Sequence, residues 1–163
     1  MKIGMIADTH DNLAAIRKAV AILNEQEIDL LIHAGDFVSP FTVEPLKLLK
    51  APLVGVFGNN DGDKVLLKQK YLEKGIGELF EDPYEFEFAA VRILVTHKPV
   101  IVNPAAASGL YDLVVFGHTH KPALEQLRDV WVINPGECCG YLTGRETVAV
   151  FEVERRAAAL LTL

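Results

Sequence analysis

Cysteine is almost absent: the chain has two, and they are neighbours, Cys138 and Cys139. Adjacent cysteines rarely meet disulfide geometry, so both are expected to be reduced, small and partly buried, in keeping with a cytoplasmic setting. With no other thiol in the chain they also make a poor zinc site. Long apolar runs are missing too. The longest, such as Leu30 to Ala34 and Leu113 to Phe116, are strand-sized, whereas a membrane span needs about 20 residues. The few residues before Asp8 cannot form the apolar core of a signal peptide. Positive charge is in deficit, with 16 Lys and Arg against 22 Asp and Glu and a net charge of −6. That is the wrong sign for gripping nucleic acid by neutralising phosphates, and long nucleic acid would lack a basic path. Acidic groups gathered in one cleft would attract cations instead.

What is present is an ordinary globular balance, 50% hydrophobic and 23% charged over 163 residues. That length predicts one domain, residues 1–163, with one substantial core. The first part alternates strands and helices. Ile3 to Ala7, Leu30 to His33 and Leu53 to Phe57 read as buried strands. Leu13 to about Glu25, Thr42 to Leu49 and Lys64 to Glu73 read as helices, the first capped by Asn12 and the last stopped at Gly75. This βαβαβ start implies a parallel sheet with right-handed crossovers. The second part meanders. Tyr84 to Phe88 alternates as a half-exposed strand should, and Val91 to Thr96 and Leu113 to Phe116 read as buried strands. Leu124 to Leu127 and Val130 to Ile133 form a hairpin, and Thr147 to Val153 alternates again. Ala158 to Leu163 fits a strand or a short helix equally. The pattern predicts two packed sheets with helices outside.

Polar residues stand at the ends of these strands. Asp8 and His10 follow the first, Asp36 the second and Asn59 the third. His97 follows Val91 to Thr96, and His118 and His120 follow Leu113 to Phe116. Ligands of open α/β sheets bind beyond the carboxyl ends of the strands, so strands pointing the same way would bring all seven side chains into one crevice. Carboxylate, imidazole and amide oxygen suit borderline to hard divalent metals. If Asp8-Thr9-His10 and His118-Thr119-His120 are extended, the first and third residues of each point to one side. Gly35, Gly58 and Gly117 precede Asp36, Asn59 and His118, where a missing Cβ lets the backbone turn closely. His33, inside a strand, reads as a hydrogen-bonded core residue.

Asp8-Thr9-His10, Gly35-Asp36, Gly58-Asn59-Asn60-Asp61, His97 and Gly117-His118-Thr119-His120, in this order, resemble the calcineurin-like metallophosphoesterases. The length and the final Asn134-Pro135-Gly136 resemble their small single-domain bacterial and archaeal phosphodiesterase branch. The resemblance implies a four-layer α/β/β/α sandwich of two mixed sheets. It also implies two divalent metal ions, commonly Mn²⁺, with Fe, Zn or Ni in some members. Asp8, His10 and His120 would hold one ion, Asn59, His97 and His118 the other, and Asp36 would bridge. Two cations roughly 3.5–4 Å apart can share a hydroxide and clamp the attacking and leaving oxygens of a phosphate ester.

The sequence departs from the family in places. The family motif usually reads Gly-Asn-His-Asp, often Gly-Asn-Cys-Asp in the small branch, but here Asn60 takes the His or Cys position. An amide cannot act as a general acid, though its NH₂ can bind a phosphate oxygen. Asn60 is thus either a weakened catalytic residue or a turn residue. Asp61 either orients Asn59 or Asn60 or caps the following helix. Lys98 follows His97 where Gly is usual, and either reaches a substrate phosphate or is solvated. Glu137 stands where the branch tends to carry Ser and is expected to narrow the substrate cleft.

The expected substrate is a small phosphate ester. The rival reading is a protein-binding scaffold with a vestigial metal site, because a retromer subunit has the same compact fold. Apolar residues on the late strands are compatible with a homo-oligomer.

Overall fold

The computed structural model describes residues 1–163. Two mixed sheets stack face to face with helices on both outer sides. The first sheet contains β1 (Lys2–Ile6), β2 (Leu30–His33), β3 (Leu53–Val56), β4 (Gly77–Phe80), β10 (Thr147–Glu152) and β11 (Ala157–Thr162), in the order β11-β10-β1-β2-β3-β4. The run from β1 to β4 is parallel, and β10 and β11 close it antiparallel. The second sheet contains β5 (Tyr84–Phe88), β6 (Val91–Thr96), β7 (Leu113–Phe116), β8 (Ala123–Leu127) and β9 (Val130–Asn134), in the order β5-β6-β7-β9-β8. Here β6, β7 and β9 are parallel and the edge strands antiparallel.

Alternation along each strand sorts the core into layers. Ile3, Met5 and Ala7 face the second sheet, where they meet Ile93, Val95, Leu113 and Val115. Ile6 faces outward into the helical layer made by α1 (Leu13–Glu25), α2 (Val43–Leu46) and α3 (Lys64–Glu73). On the far side, Leu94 and Val114 pack against Val102, Ala105 and Ala106 of α4 (Val102–Ala107). Strands covered on both faces read as continuous apolar runs, as β2 and β7 do. No helix is long and apolar enough to cross a membrane.

Most elements fall where the periodicity places them, including α1 with its Asn12 cap, whose Oδ1 accepts from Ala15 N at 3.2 Å. The helix expected over Thr42 to Leu49 is shorter. It begins as a 3₁₀ turn over Pro40–Thr42, and after Lys47 its hydrogen bonds tighten to Leu48 N→Pro45 O and Leu49 N→Leu46 O. β4 and α4 went unread because a four-residue strand and a six-residue helix containing Pro104 carry too little periodicity. The ambiguous C-terminal segment is a strand, paired with β10 throughout its length.

Candidate metal centre

The parallel strands β1, β2, β3, β6 and β7 all end at one edge of the sandwich, and Asp8, His10, Asp36, Asn59, His97, His118 and His120 gather there. The two sheets deliver them from opposite sides. Backbone bonds lock the first two loops together: Asp8 N donates to Gly35 O at 3.0 Å, and Thr9 N and His10 N both donate to Asp36 O at 3.1 Å. A Cβ on Gly35 would strike the His97 ring, one on Gly58 the Asp36 carboxylate, and one on Gly117 the Ala34 carbonyl. The three glycines therefore permit the close approach, as expected.

The two triplets are not extended, contrary to the sequence reading. The angle φ is +51° at Asp8, +40° at His10, +62° at Asp36, +67° at His118 and +60° at His120. Non-glycine residues rarely adopt this left-handed region, and such residues concentrate at functional sites. The intervening threonines bond elsewhere: Thr9 Oγ1 lies 3.1 Å from His33 Nε2, and Thr119 Oγ1 accepts from Asn134 Nδ2 at 2.9 Å. The first and third residues reach one site through these turns rather than through strand alternation. His33 is the hydrogen-bonded core residue expected, fully buried, with Gly35 N donating to its Nδ1 at 3.2 Å.

The distances describe two adjoining groups that meet at Asp36. His97 Nδ1 lies 2.9 Å from the Ala34 carbonyl and so must carry a hydrogen, which leaves the Nε2 lone pair of the neutral ring facing the site. That nitrogen is 3.0 Å from Asn59 Oδ1, 3.2 Å from His118 Nδ1 and 3.4 Å from Asp36 Oδ2. On the other side His10 Nε2 is 3.5 Å from Asp36 Oδ2 and 3.4 Å from His120 Nε2. His120 Nε2 lies 3.7 Å from Asp8 Oδ1. Ligand atoms of Asp8, His10 and His120 all fall within 4.8 Å of one another, as do those of Asp8, Asp36 and His97.

Electron-pair donors turned toward one another repel unless a cation stands between them. Bonds of about 2.0–2.2 Å to one ion place neighbouring ligand atoms about 3.0–3.5 Å apart, close to most of these separations. The donor set therefore fits divalent cations.

The electrostatics differ from ligand to ligand. Burial pushes the Asp8 carboxyl up to about 7, against the pull of His120 and His97. Burial also works to raise Asp36, but the adjacent His97 and the two hydrogen bonds from Asn60 prevail and hold it well below the usual carboxylate range. Desolvation lowers His10, partly opposed by Asp36, and desolvation with the neighbouring His97 lowers His118. Burial works to lower His97 as well, but Asp36 and the Ala34 carbonyl prevail and raise it, so protons compete with a metal there. The neutral imidazoles of His10 and His118 keep a lone pair for a metal.

The secondary candidates separate. Asn60 donates to both oxygens of Asp36, from its backbone N and from Nδ2, each at 2.8 Å. Asp61 neither orients Asn59 or Asn60 nor caps α3, whose N-cap is Asp63. Its carboxylate, raised by burial, accepts from the backbone N of Gly58 at 2.6 Å, Val38 at 2.7 Å and Asp36 at 3.2 Å. It thus staples the β2 and β3 loops from beneath. Lys98 is exposed. Both cysteines are free and more deeply buried than expected. Glu137 does not narrow the cleft: it is fully buried, with Oε2 only 2.6 Å from His120 Nδ1. A cleft of about 420 Å³ opens beside the cluster, lined by His10, Val38, Asn60, His120, Tyr141 and Leu142. Val38, Tyr141 and Leu142 were not readable as site residues because nothing in their spacing ties them to the strand ends.

The calcineurin-like phosphoesterase superfamily domain matches residues 1–156. This chain belongs to that superfamily. It is 41% identical to a phosphodiesterase of Methanocaldococcus jannaschii over 158 residues, covering 96% of this chain and 95% of that one. A probable metallophosphoesterase of Bacillus subtilis is 29% identical, over 98% and 89% of the two chains. Among solved structures, an archaeal phosphodiesterase superposes with a TM-score of 0.95 at 40% identity, each chain covered completely. Vps29 of Entamoeba histolytica, solved with Zn²⁺, shares the fold at a TM-score of 0.72 and 15% identity, over 100% and 98% of the two chains. The chain is therefore a four-layer α/β/β/α member of the calcineurin-like phosphoesterase superfamily.

Proposed function

We propose that this protein hydrolyses a small phosphodiester at a pair of divalent cations, Mn²⁺ being the favoured metal. Asp8, His10 and His120 would hold one ion, Asn59, His97 and His118 the other, and Asp36 would face both. The carrying observation is the crowding of ligand atoms around His97 Nε2. With Nδ1 bonded to Ala34 O, this nitrogen faces Asn59, His118 and Asp36 at 3.0–3.4 Å, the spacing of atoms that share an ion. When bound, such ions supply Lewis acidity toward the phosphate and a water made nucleophilic at neutral pH.

The remaining work belongs to the chain. Asn60 fixes Asp36 through both its N–H groups, and the second hydrogen on its Nδ2 is available to a phosphate oxygen. No histidine or cysteine stands at this position to protonate a leaving oxygen, which favours esters with good leaving groups. Asp61 holds the backbone of Gly58, Val38 and Asp36 in place. Val38, Tyr141 and Leu142 offer an apolar wall to the organic part of the ester. The acidic chain and the small cleft support a short substrate over a long nucleic acid.

Metal-stripped protein should hydrolyse an aryl phosphodiester such as bis(p-nitrophenyl) phosphate only after Mn²⁺ is restored. No turnover with Mn²⁺, Fe²⁺, Zn²⁺ or Ni²⁺ would favour the scaffold reading instead.

A further inference from the structure

Glu137 lies in the loop between β9 and β10, outside the seven-residue cluster, yet its carboxylate is completely enclosed. Hydrogen-bond donors surround it. Leu142 N reaches both oxygens at 3.0 Å, Thr143 donates to Oε1 from its backbone N and from Oγ1 at 2.7 Å, and Cys139 Sγ lies 3.4 Å from Oε2. Two backbone N–H groups, Thr143 Oγ1 and Cys139 Sγ directed at its oxygens favour the anion, which assigns the hydrogen in the 2.6 Å contact to His120 Nδ1. That contact is too short to admit a metal ion, because two ligands of one ion stand about 3 Å or more apart. His120, Glu137 and Cys139 therefore do not form a third metal site, although their ligand atoms cluster.

We propose that Glu137 is the positioning residue that fixes His120 as the tautomer able to bind metal, and that it also anchors the substrate wall. With the proton on Nδ1, the neutral ring must present its Nε2 lone pair, and that atom faces Asp8 and His10. A carboxylate behind a ligating imidazole also increases the basicity of the ligand. The same two oxygens hold Leu142 and Thr143, which places Tyr141 and Leu142 beside His10, Asn60 and His120. One buried side chain thus ties a metal ligand to the edge of the substrate cleft. The inference rests on His120 being a metal ligand, as proposed above.

Glu137→Gln separates orientation from packing. Its amide oxygen can still accept from Leu142 and Thr143, and turning the NH₂ toward those donors would set donor against donor. The NH₂ must then donate to His120 Nδ1, which moves the ring proton to Nε2 and blocks the ligand atom. Calorimetric titration of metal-free protein with Mn²⁺ should show two ions in the wild type. The Glu137→Gln variant should bind one of them about 10–100-fold more weakly, the scale of losing such an outer partner. Long-range ¹H–¹⁵N correlation spectra of the metal-free wild type should show the His120 proton on Nδ1, and of the variant on Nε2. Wild type that binds no ion would defeat the metal reading itself. Two ions bound equally by wild type and variant would defeat the role of Glu137 alone. If the variant does not fold, the wild-type spectrum decides, and a proton on Nε2 of His120 overturns the inference.

Discussion

Asn60 grips Asp36 with both of its N–H groups, the backbone N on Oδ1 and Nδ2 on Oδ2, each at 2.8 Å. The residue read in the sequence as a weakened catalytic group or a turn former also holds the carboxylate that lies between His10 and His97. Its side chain nevertheless stays solvent-exposed, at the position where a family histidine or cysteine would stand.

Replacing Asp36 by Ala should lower kcat for an aryl phosphodiester by about two to three orders of magnitude, the scale of losing a principal electrostatic element. Metal titration of the same variant should also lose stoichiometry. Wild-type turnover at saturating Mn²⁺ would show that Asp36 does not join two ions.

Asn60→His introduces an ionisable group, keeps the backbone N–H bond to Asp36 and gives up the Nδ2 bond. Turnover of an unactivated alkyl ester should rise, by up to about 10²–10⁴-fold if proton transfer limits the rate. An activated aryl ester should change little. The pH–rate profile for the alkyl ester should acquire a descending alkaline limb. A slower alkyl reaction would contradict the acid-deficit account.

In metal-free protein, Asp8 holds its proton up to about pH 7, whereas the unfolded chain releases it near the ordinary value of 3.8. The folded state therefore binds more protons between those values, and stability falls as pH rises through that window and levels off above it. Asp8→Asn should raise the Tm of metal-free protein at pH 8 and leave it nearly unchanged at pH 3. Protons and metal compete for this carboxylate, so Mn²⁺ affinity should weaken below about pH 7. An affinity independent of pH from 5 to 8 would rule out Asp8 as a ligand.

Ions that bind only the folded protein stabilise it by mass action. At a free Mn²⁺ concentration 100 times Kd, one site adds about 2.7 kcal/mol. A chelator should therefore lower the Tm by several degrees. His97→Ala should abolish part of that shift, and a chelator-insensitive Tm in wild type would speak against a structural ion at either position.

The sequence by itself determined the layers and the donors. Continuous apolar runs such as Leu30–Ile32 and Leu113–Phe116 read as strands covered on both faces, and within each sheet the polar residues that end parallel strands share an edge. Tertiary structure decided what no local period encodes. The left-handed turns at Asp8, His10, His118 and His120 are held by bonds to loops far away in the chain. Asp61 reaches backwards to the backbone around Asp36, not forwards to its helix. Glu137 stands 17 residues beyond His120, and its partnership exists because β9 returns beside β7. Hydrogen-bond partners and buried charge depend on which segments meet in space, and that is fixed only when the two sheets close on each other.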